Sequence, residues 1–149
     1  MIYRSYSSAE TKKIAAAFAK GILKRRPGSH ALVIGLSGDL GAGKTTFIQG
    51  FLRVLGIRGR ITSPTFVLVK RYTLRPPRRH VHHMDSYRLN DHRHLKTLDF
   101  KKIISDPKNI VLIEWAEKIK KALPKDTLWI RFGHEKKESE RKIIIMKKR

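Results

Sequence analysis

The sequence predicts an α/β domain that is organised around a buried parallel strand, a glycine-rich turn and an amphipathic helix, in that order. The strand is the continuous apolar run 31–36, whose ends are marked by turn residues, as is typical of a strand buried on both faces of a parallel sheet. The helix is predicted for 45–55, where large apolar residues recur on one face and Gly56 ends the pattern.

A first helix is predicted before this unit. Residues 7–10 (Ser-Ser-Ala-Glu) have the form of a capping box, which satisfies exposed amides at a helix N-terminus. Ile14, Phe18 and Ile22 then recur at helical spacing, and the pattern ends near 25–28.

The remaining elements follow from local patterns and turn residues. Strands at 66–72 and 80–84 form a hairpin around the turn 75–78, and a short helix is predicted within 87–106, where it carries Leu95, Leu98, Ile103 and Ile104. A buried strand at 110–113 and another short helix follow. The last two strands are predicted at 127–132 and 142–146, joined by the loop 133–141. No repeat, linker or boundary interrupts the chain, so we expect one domain over 1–149.

The charge is strongly basic, since 34 Lys and Arg residues against 12 Asp and Glu residues give +22 at pH 7. Such a field attracts polyanions, with phosphate backbones the leading candidates, and a lineage-wide compositional bias is the alternative. No RNA-binding module signature occurs, so any contact with nucleic acid is expected to be electrostatic.

Cysteine is absent, which excludes a disulfide scaffold, a thiolate metal site and a cysteine nucleophile. No apolar run approaches the roughly 18 residues that a membrane span requires. We therefore expect a cytoplasmic protein that does not contact a membrane.

The turn between the central strand and its helix matches the Walker A pattern in full. It consists of Gly38, Asp39, Leu40, Gly41, Ala42, Gly43, Lys44 and Thr45, and Thr46 follows. Glycines let such a turn aim successive N–H groups at phosphates, while Lys44 reaches the β and γ oxygens and the Thr45 hydroxyl ligates Mg²⁺. The helix dipole adds positive potential at the same point. The turn therefore predicts a site for a nucleoside triphosphate and magnesium.

Two carboxylates follow predicted strands. Asp85 follows the strand 80–84 and Glu114 follows the strand 110–113, so we expect both at the carboxyl edge of the sheet beside Thr45. A P-loop site needs an acidic residue that holds the magnesium shell or positions the attacking water. We assign Asp85 chiefly to Mg²⁺ and Glu114 to the metal shell or to water activation; a helix cap or an ion pair with lysine is the alternative for each.

Thr65 is the third catalytic candidate. It lies in 63–66 (Ser-Pro-Thr-Phe), between the P-loop helix and the next strand, where switch loops of P-loop hydrolases place a threonine near Mg²⁺ and the γ-phosphate. Ser-Pro and Thr also form ordinary turns, which is the alternative.

The cluster of histidines is not expected to bind a metal. His80 and His82 share one face of a strand whereas His83 points to the other, so the three do not converge easily on one ion. We expect His83 to form a hydrogen bond near the site.

Together these motifs resemble the TsaE (YjeE) ATPases, which help to place threonylcarbamoyl on adenosine 37 of ANN-decoding tRNAs. The resemblance spans nearly the whole chain and rests on four ordered motifs: 38–46 (GDLGAGKTT), 63–66 (SPTF), 83–88 (HMDSYR) and 113–115 (IEW). It implies a three-layer, P-loop NTPase-like fold with a mixed, mostly parallel central sheet flanked by helices. It also implies ATP and Mg²⁺ binding, weak hydrolysis by the isolated protein, and docking on TsaD and TsaB partners, with tRNA contacted directly or through that complex.

By the same resemblance, the nucleotide and metal residues are Lys44, Thr45, Thr65, Asp85 and Glu114. Trp115 either lines the nucleotide pocket, as in the family motif, or is a core aromatic. The segment 98–102 departs from the family pattern, which normally has a glycine and acidic residues there, and the family is typically less basic. These departures concern the expected partner surfaces more than the nucleotide site. A small-molecule kinase, and a basic RNA-binding module whose P-loop only anchors phosphate, are the other functions that the sequence allows.

Overall fold

A seven-stranded mixed sheet forms the middle layer of the protein. We describe the fold from a computed structural model, which covers residues 1–64, 68–89 and 92–146. The strands are β1 (Ile2–Ser5), β2 (Leu32–Gly38), β3 (Val69–Thr73), β4 (His80–Asp85), β5 (Ile110–Glu114), β6 (Leu128–His134) and β7 (Arg141–Ile145). Their order across the sheet is β1-β7-β6-β2-β5-β4-β3.

Strand β2 is the central strand, as the sequence predicted. It pairs in parallel with β5 on one side and β6 on the other, and β4 pairs in parallel with β5. The remaining pairs, β3 with β4, β6 with β7 and β1 with β7, are antiparallel. The four middle strands are therefore parallel and the outer strands are added by hairpins or by the N-terminal segment, which confirms a mixed sheet.

Helices cover both faces of this sheet. The α-helices are α1 (Ser8–Leu23), α2 (Lys44–Val54) and α3 (Phe100–Ser105), and two 3₁₀ helices span His92–Leu98 and Ala116–Ala122. Apolar residues of α1 and α2 pack with one face of β2, whereas α3 and the 3₁₀ helices pack with the other face. Because successive side chains of a strand point to opposite faces, one buried sheet supplies both cores and the fold has three layers.

The N-terminus of α1 confirms the capping box in part. The Ser7 Oγ accepts a hydrogen bond from the Glu10 amide at 3.1 Å, and the Glu10 carboxylate accepts one from the Tyr6 amide at 2.7 Å. The glutamate thus bonds the residue before the cap rather than the cap itself.

Strand β1 was missed by the sequence analysis. Its four residues pair with β7, where Ile2 lies opposite Ile144. Ile2 is largely exposed and Tyr3 is half-buried, so the strand is a short edge strand without an apolar run. The backbone pairing of β1 with β7 holds this strand at the edge of the sheet, and such pairing leaves no pattern in the sequence.

The predicted short helix within 87–106 is two helices rather than one. Asp99 lies between the first 3₁₀ helix and α3 with φ of +53°, a left-handed conformation that interrupts helical geometry. Aspartate is one of the few residues that adopt it readily. Leu95 and Phe100, on either side of this break, are both buried.

The hairpin of β3 and β4 is confirmed, with β3 spanning Val69–Thr73 in the described part of the chain. Residues 65–67 lie outside the described ranges. Among the helices of the described ranges, none combines the length and the apolar character that crossing a bilayer requires.

Candidate functional site

The glycine-rich turn is anchored to the sheet at Gly38, the last residue of β2. Gly38 has φ of +122°, and a Cβ there would overlap the backbone carbonyl oxygen of Phe132 on the neighbouring strand β6. Glycine is therefore required both by the backbone conformation and by the close strand pairing. The result is a turn that starts at a fixed point above the carboxyl edge of the sheet.

The other end of the turn is the N-terminus of α2. Gly43 is the N-cap residue, with φ of +99°, and no side chain in the described part of the chain caps this end. The first N–H groups of a helix have no intrahelical partner, and the helix dipole adds positive potential there. These amides are therefore available to an anion held in the turn.

Lys44 lies inside the turn. Its Nζ donates hydrogen bonds to the carbonyl oxygens of Gly38 and Asp39, each at 2.7 Å, and lies 3.9 Å from the centre of the Trp115 ring. Only 5% of the residue is exposed. Burial lowers the pKa of the Lys44 ammonium, while nearby carboxylates, those of Glu117 and Glu114 foremost, oppose that shift. The lysine is thus a desolvated cation that is held at the mouth of the turn.

Asp85 and Glu114 are direct neighbours at the carboxyl edge of the sheet. They are paired in the register of β4 and β5, and each is 3% exposed. The Thr45 hydroxyl donates to the Glu114 Oε1 at 2.6 Å, which joins the carboxylate pair to the first turn of α2. The parallel strands and the P-loop helix therefore bring together the two acids and the hydroxyl that the sequence selected.

Two further side chains stabilise this carboxylate pair. The Ser63 Oγ lies 2.8 Å from the Asp85 Oδ2 and 3.2 Å from the Glu114 Oε2, so its single proton is shared between the two acids. The His83 Nε2 lies 2.7 Å from the Glu114 Oε2, and His83 is fully buried. Buried like charges repel, and these donors offset that repulsion. The expected hydrogen bond of His83 near the site is confirmed.

Trp115 contacts the turn and is not part of either apolar core. It has φ of +57°, and its ring lies 3.9 Å from the Lys44 Nζ and 5.0 Å from the Tyr87 ring, both measured to ring centres. Tyr87 is 46% exposed, and the Lys118 Nζ lies 4.5 Å from the centre of its ring. Trp115 therefore lies beside the glycine-rich turn, and its role in lining a nucleotide pocket stays a prediction.

Other predicted residues take less direct positions. Asp39 contributes its backbone carbonyl to Lys44, the Leu40 side chain is 76% exposed, and Thr46 is half-buried in the first turn of α2. Thr65 lies outside the described residues. The sequence analysis missed Ser63 as a partner of the acids and Glu117, whose Oε1 lies 3.5 Å from the Gly38 amide. The position of Ser63 in the motif 63–66 was the sequence feature that could have identified it. No sequence feature marked Glu117.

The oxygen atoms that could act as metal ligands at this site fit magnesium. They are oxygen atoms of a threonine, a serine and two carboxylates, and Mg²⁺ is usually held by one or two carboxylates together with substrate phosphates and water. Within the described residues, no three His, Cys, Asp or Glu side chains form a group that holds a metal by itself.

Comparison with known proteins identifies the family. A family model described as "Threonylcarbamoyl adenosine biosynthesis protein TsaE" matches residues 5–143. The tRNA threonylcarbamoyladenosine biosynthesis protein TsaE of Bacillus subtilis strain 168 is 40% identical over 144 residues, covering 91% of this chain and 81% of that protein. The protein of the same name from Haemophilus influenzae is 35% identical over 117 residues, covering 78% and 72%.

The fold is also found among solved structures. The crystal structure of Bacillus subtilis YdiB superposes with a TM-score of 0.70 at 31% sequence identity, covering 97% of this chain and 83% of that chain. The matched range includes the glycine-rich turn and both strands that carry the acids. The chain belongs to the TsaE family of threonylcarbamoyl adenosine biosynthesis proteins.

Proposed function

We propose that this protein binds ATP and Mg²⁺ at the glycine-rich turn and hydrolyses ATP weakly, as the ATPase subunit that N6-threonylcarbamoyladenosine modification of tRNA requires. The observation that carries the proposal is the convergence of Lys44, Thr45, Asp85 and Glu114 at one edge of the sheet. Each of these residues has a different task in the same reaction, and none of the four is explained by packing alone.

The turn and Lys44 bind and orient the triphosphate. The amides of 38–46 and the N-terminus of α2 bind phosphate oxygens, and the Lys44 Nζ exchanges its two carbonyl partners for the β and γ oxygens. Trp115 stacks over that ammonium and keeps water from it. These contacts fix the γ-phosphate in place before hydrolysis.

The acids act on the water and the cation. Thr45 and Asp85 would hold Mg²⁺, which supplies positive charge to the β and γ oxygens when it is bound. Glu114, held by Thr45 and His83, orients the attacking water and accepts its proton. Thr65 acts as the sensor of the γ-phosphate in this scheme.

The nucleotide state then controls docking on TsaD and TsaB type proteins and resets that complex between turnovers. Family membership and the resemblance of four motifs support this role. The cytoplasm is the compartment in which we place it, since tRNA and ATP meet there.

Titration of ATP into the isolated protein, with and without Mg²⁺, tests the nucleotide site. We expect Lys44→Ala to abolish binding, whereas Lys20→Ala, an exposed lysine on α1, leaves it unchanged. ATP affinity that survives Lys44→Ala contradicts the proposal.

A pull-down with purified TsaD and TsaB type partners tests the role in the complex. Retention that depends on ATP, and that changes in Thr65→Ala, supports nucleotide-controlled docking. ATP consumption that rises with a small acceptor but not with the partners indicates a kinase instead. RNA affinity that ignores ATP and falls steeply with salt indicates the RNA-binding module.

A further inference from the structure

A second cleft lies on the sheet face opposite α2. It has a volume of about 460 Å³ and is lined mainly by residues of β3, β4 and α3. Small-molecule sites commonly have volumes in this range. Its polar lining includes Arg71, Arg79, His80, His82, Lys102 and Asn109. We call it the β3–β4–α3 cleft. His82 precedes Asp85 by three residues, roughly 10 Å along the strand, and faces the other side of the sheet, so this cleft is separate from the P-loop site.

The floor of the β3–β4–α3 cleft contains polar atoms without partners. His82 is 5% exposed, and neither ring nitrogen forms a hydrogen bond within the described residues. The Asn109 Nδ2 donates to the Ile103 carbonyl at 3.1 Å, whereas the buried Asn109 Oδ1 accepts nothing there. Buried polar groups are almost always hydrogen-bonded, so the floor offers donors and acceptors that fit a polar ligand.

The rim of the cleft is cationic. Arg71 is exposed and lies opposite His82 in the register of β3 and β4, and Lys102 is exposed on α3. Of the carboxylates that line the cleft, Asp106 is already engaged, by Arg79 at 3.2 Å and by the Lys108 amide at 2.9 Å. Asp99 also lines the cleft, so Arg71 and Lys102 exceed this second carboxylate by one positive charge, and an anion is the ligand that this balance favours.

We propose that the β3–β4–α3 cleft binds a ribose phosphate, with Arg71 and Lys102 on the phosphate, His82 donating to it from the floor, and Asn109 accepting from a sugar hydroxyl. A phosphate alone satisfies the cations but leaves the Asn109 Oδ1 unpaired, whereas an adjacent hydroxyl group supplies the missing donor. The ligand is either a free ribonucleotide or a unit of an RNA backbone, since both present the same pair of groups.

The state of His82 is consistent with this assignment. Burial, together with the neighbouring His80 and Arg71, lowers the pKa of His82 to about 4, while Asp106 opposes the shift. His82 is therefore neutral at pH 7 and has one N–H to donate. A bound phosphate raises the pKa again, because it offsets the positive charge around the ring.

Nuclear magnetic resonance of the full chain, labelled with ¹⁵N at histidine, tests the proposal, with the His82 ring assigned from His82→Gln. We expect ribose 5-phosphate to shift the His82 ring signals saturably, and neutral ribose to leave them unmoved. Arg71→Gln should weaken the effect roughly fivefold, the upper limit for an exposed charge pair. Arg58→Gln, which removes the same charge from an exposed position elsewhere, should leave the affinity unchanged.

A short single-stranded RNA distinguishes the two sources of the ligand. If RNA shifts the His82 signals and Arg71→Gln weakens that shift, the ligand is an RNA backbone; if only ribose 5-phosphate does so, it is a free ribonucleotide. If neither probe moves the His82 ring, or if Arg58→Gln weakens binding as much as Arg71→Gln, the proposal is wrong. Arg71 is exposed and its substitution is not expected to affect folding, so if His82→Gln does not fold, calorimetric titration of ribose 5-phosphate into Arg71→Gln and Arg58→Gln keeps the comparison.

Discussion

Replacement of Glu114 by glutamine should separate hydrolysis from nucleotide binding. Glutamine keeps the size and one acceptor oxygen of Glu114, but a neutral amide does not take a proton from water. A positioned general base contributes about 10²- to 10⁴-fold to a rate, which corresponds to roughly 3–5 kcal/mol of activation free energy. We therefore expect the hydrolysis rate of Glu114→Gln to fall by about that factor, with little change in the affinity for ATP.

The folded structure should tolerate this change. Three donors, on Thr45, Ser63 and His83, lie within 3.2 Å of the Glu114 carboxylate, and an amide weakens those bonds. The same change removes the repulsion between two adjacent buried carboxylates. We expect the two effects to offset each other to within about 1.5 kcal/mol of the free energy of unfolding, the range of one hydrogen bond.

Single-turnover hydrolysis of radiolabelled ATP, alone and with the partner proteins, measures the rate, and urea unfolding measures the stability. Glu138→Gln is the matched control, since Glu138 is exposed and remote in sequence from the site. An unchanged hydrolysis rate in Glu114→Gln would falsify the role of this residue as the base. Lost ATP affinity would instead place Glu114 among the binding residues.

Three other predictions concern the turn, the cation and pH. Gly38→Ala should lower the free energy of unfolding by at least about 2 kcal/mol, because the added Cβ meets the Phe132 carbonyl at positive φ; urea unfolding checks this, and wild-type stability would contradict it. Thr45→Ala should weaken ATP binding about tenfold in Mg²⁺ but little in EDTA, as titration calorimetry will show; equal losses in both buffers would exclude a metal role. Stability should fall between about pH 6.5 and pH 4, because His82 binds a proton in the unfolded chain but not in the folded one, and the expected loss is on the order of 1–3 kcal/mol. His82→Gln should flatten that pH dependence in urea unfolding, and an unchanged slope would show that other groups are responsible.

Much of the fold was predictable because its central unit leaves strong patterns. The apolar run of β2 and β5, the amphipathic α2 and the glycines between them are dictated by burial and by backbone geometry, and each can be recognised locally. The break at Asp99 and the edge strand β1 depend on tertiary contacts instead. Aspartate is compatible with several backbone conformations, and Ile2 gains its place only from pairing with Ile144.

In the candidate site, too, some residues could be predicted from local sequence patterns and others depend on tertiary contacts. Lys44 and Thr45 are fixed by the motif, and Asp85 and Glu114 by their position after buried strands, so sequence reasoning selected them. Ser63 joins the two acids because its hydroxyl lies within hydrogen-bond distance of both, a position that no spacing rule predicts. The β3–β4–α3 cleft was missed because His82 was considered only as a possible metal ligand.

The pairing of Asp85 with Glu114 makes the geometry of the candidate site depend on the alignment of two strands. A shift of β4 by one residue relative to β5 would turn Asp85 to the opposite face of the sheet, away from its partner, while every backbone hydrogen bond could re-form. The apolar residues that oppose this slip, such as Met84 and Val81, are fully buried in the two apolar cores. Substitutions deep in either core can therefore disturb the candidate site without unfolding the protein, by misaligning the two strands that carry Asp85 and Glu114.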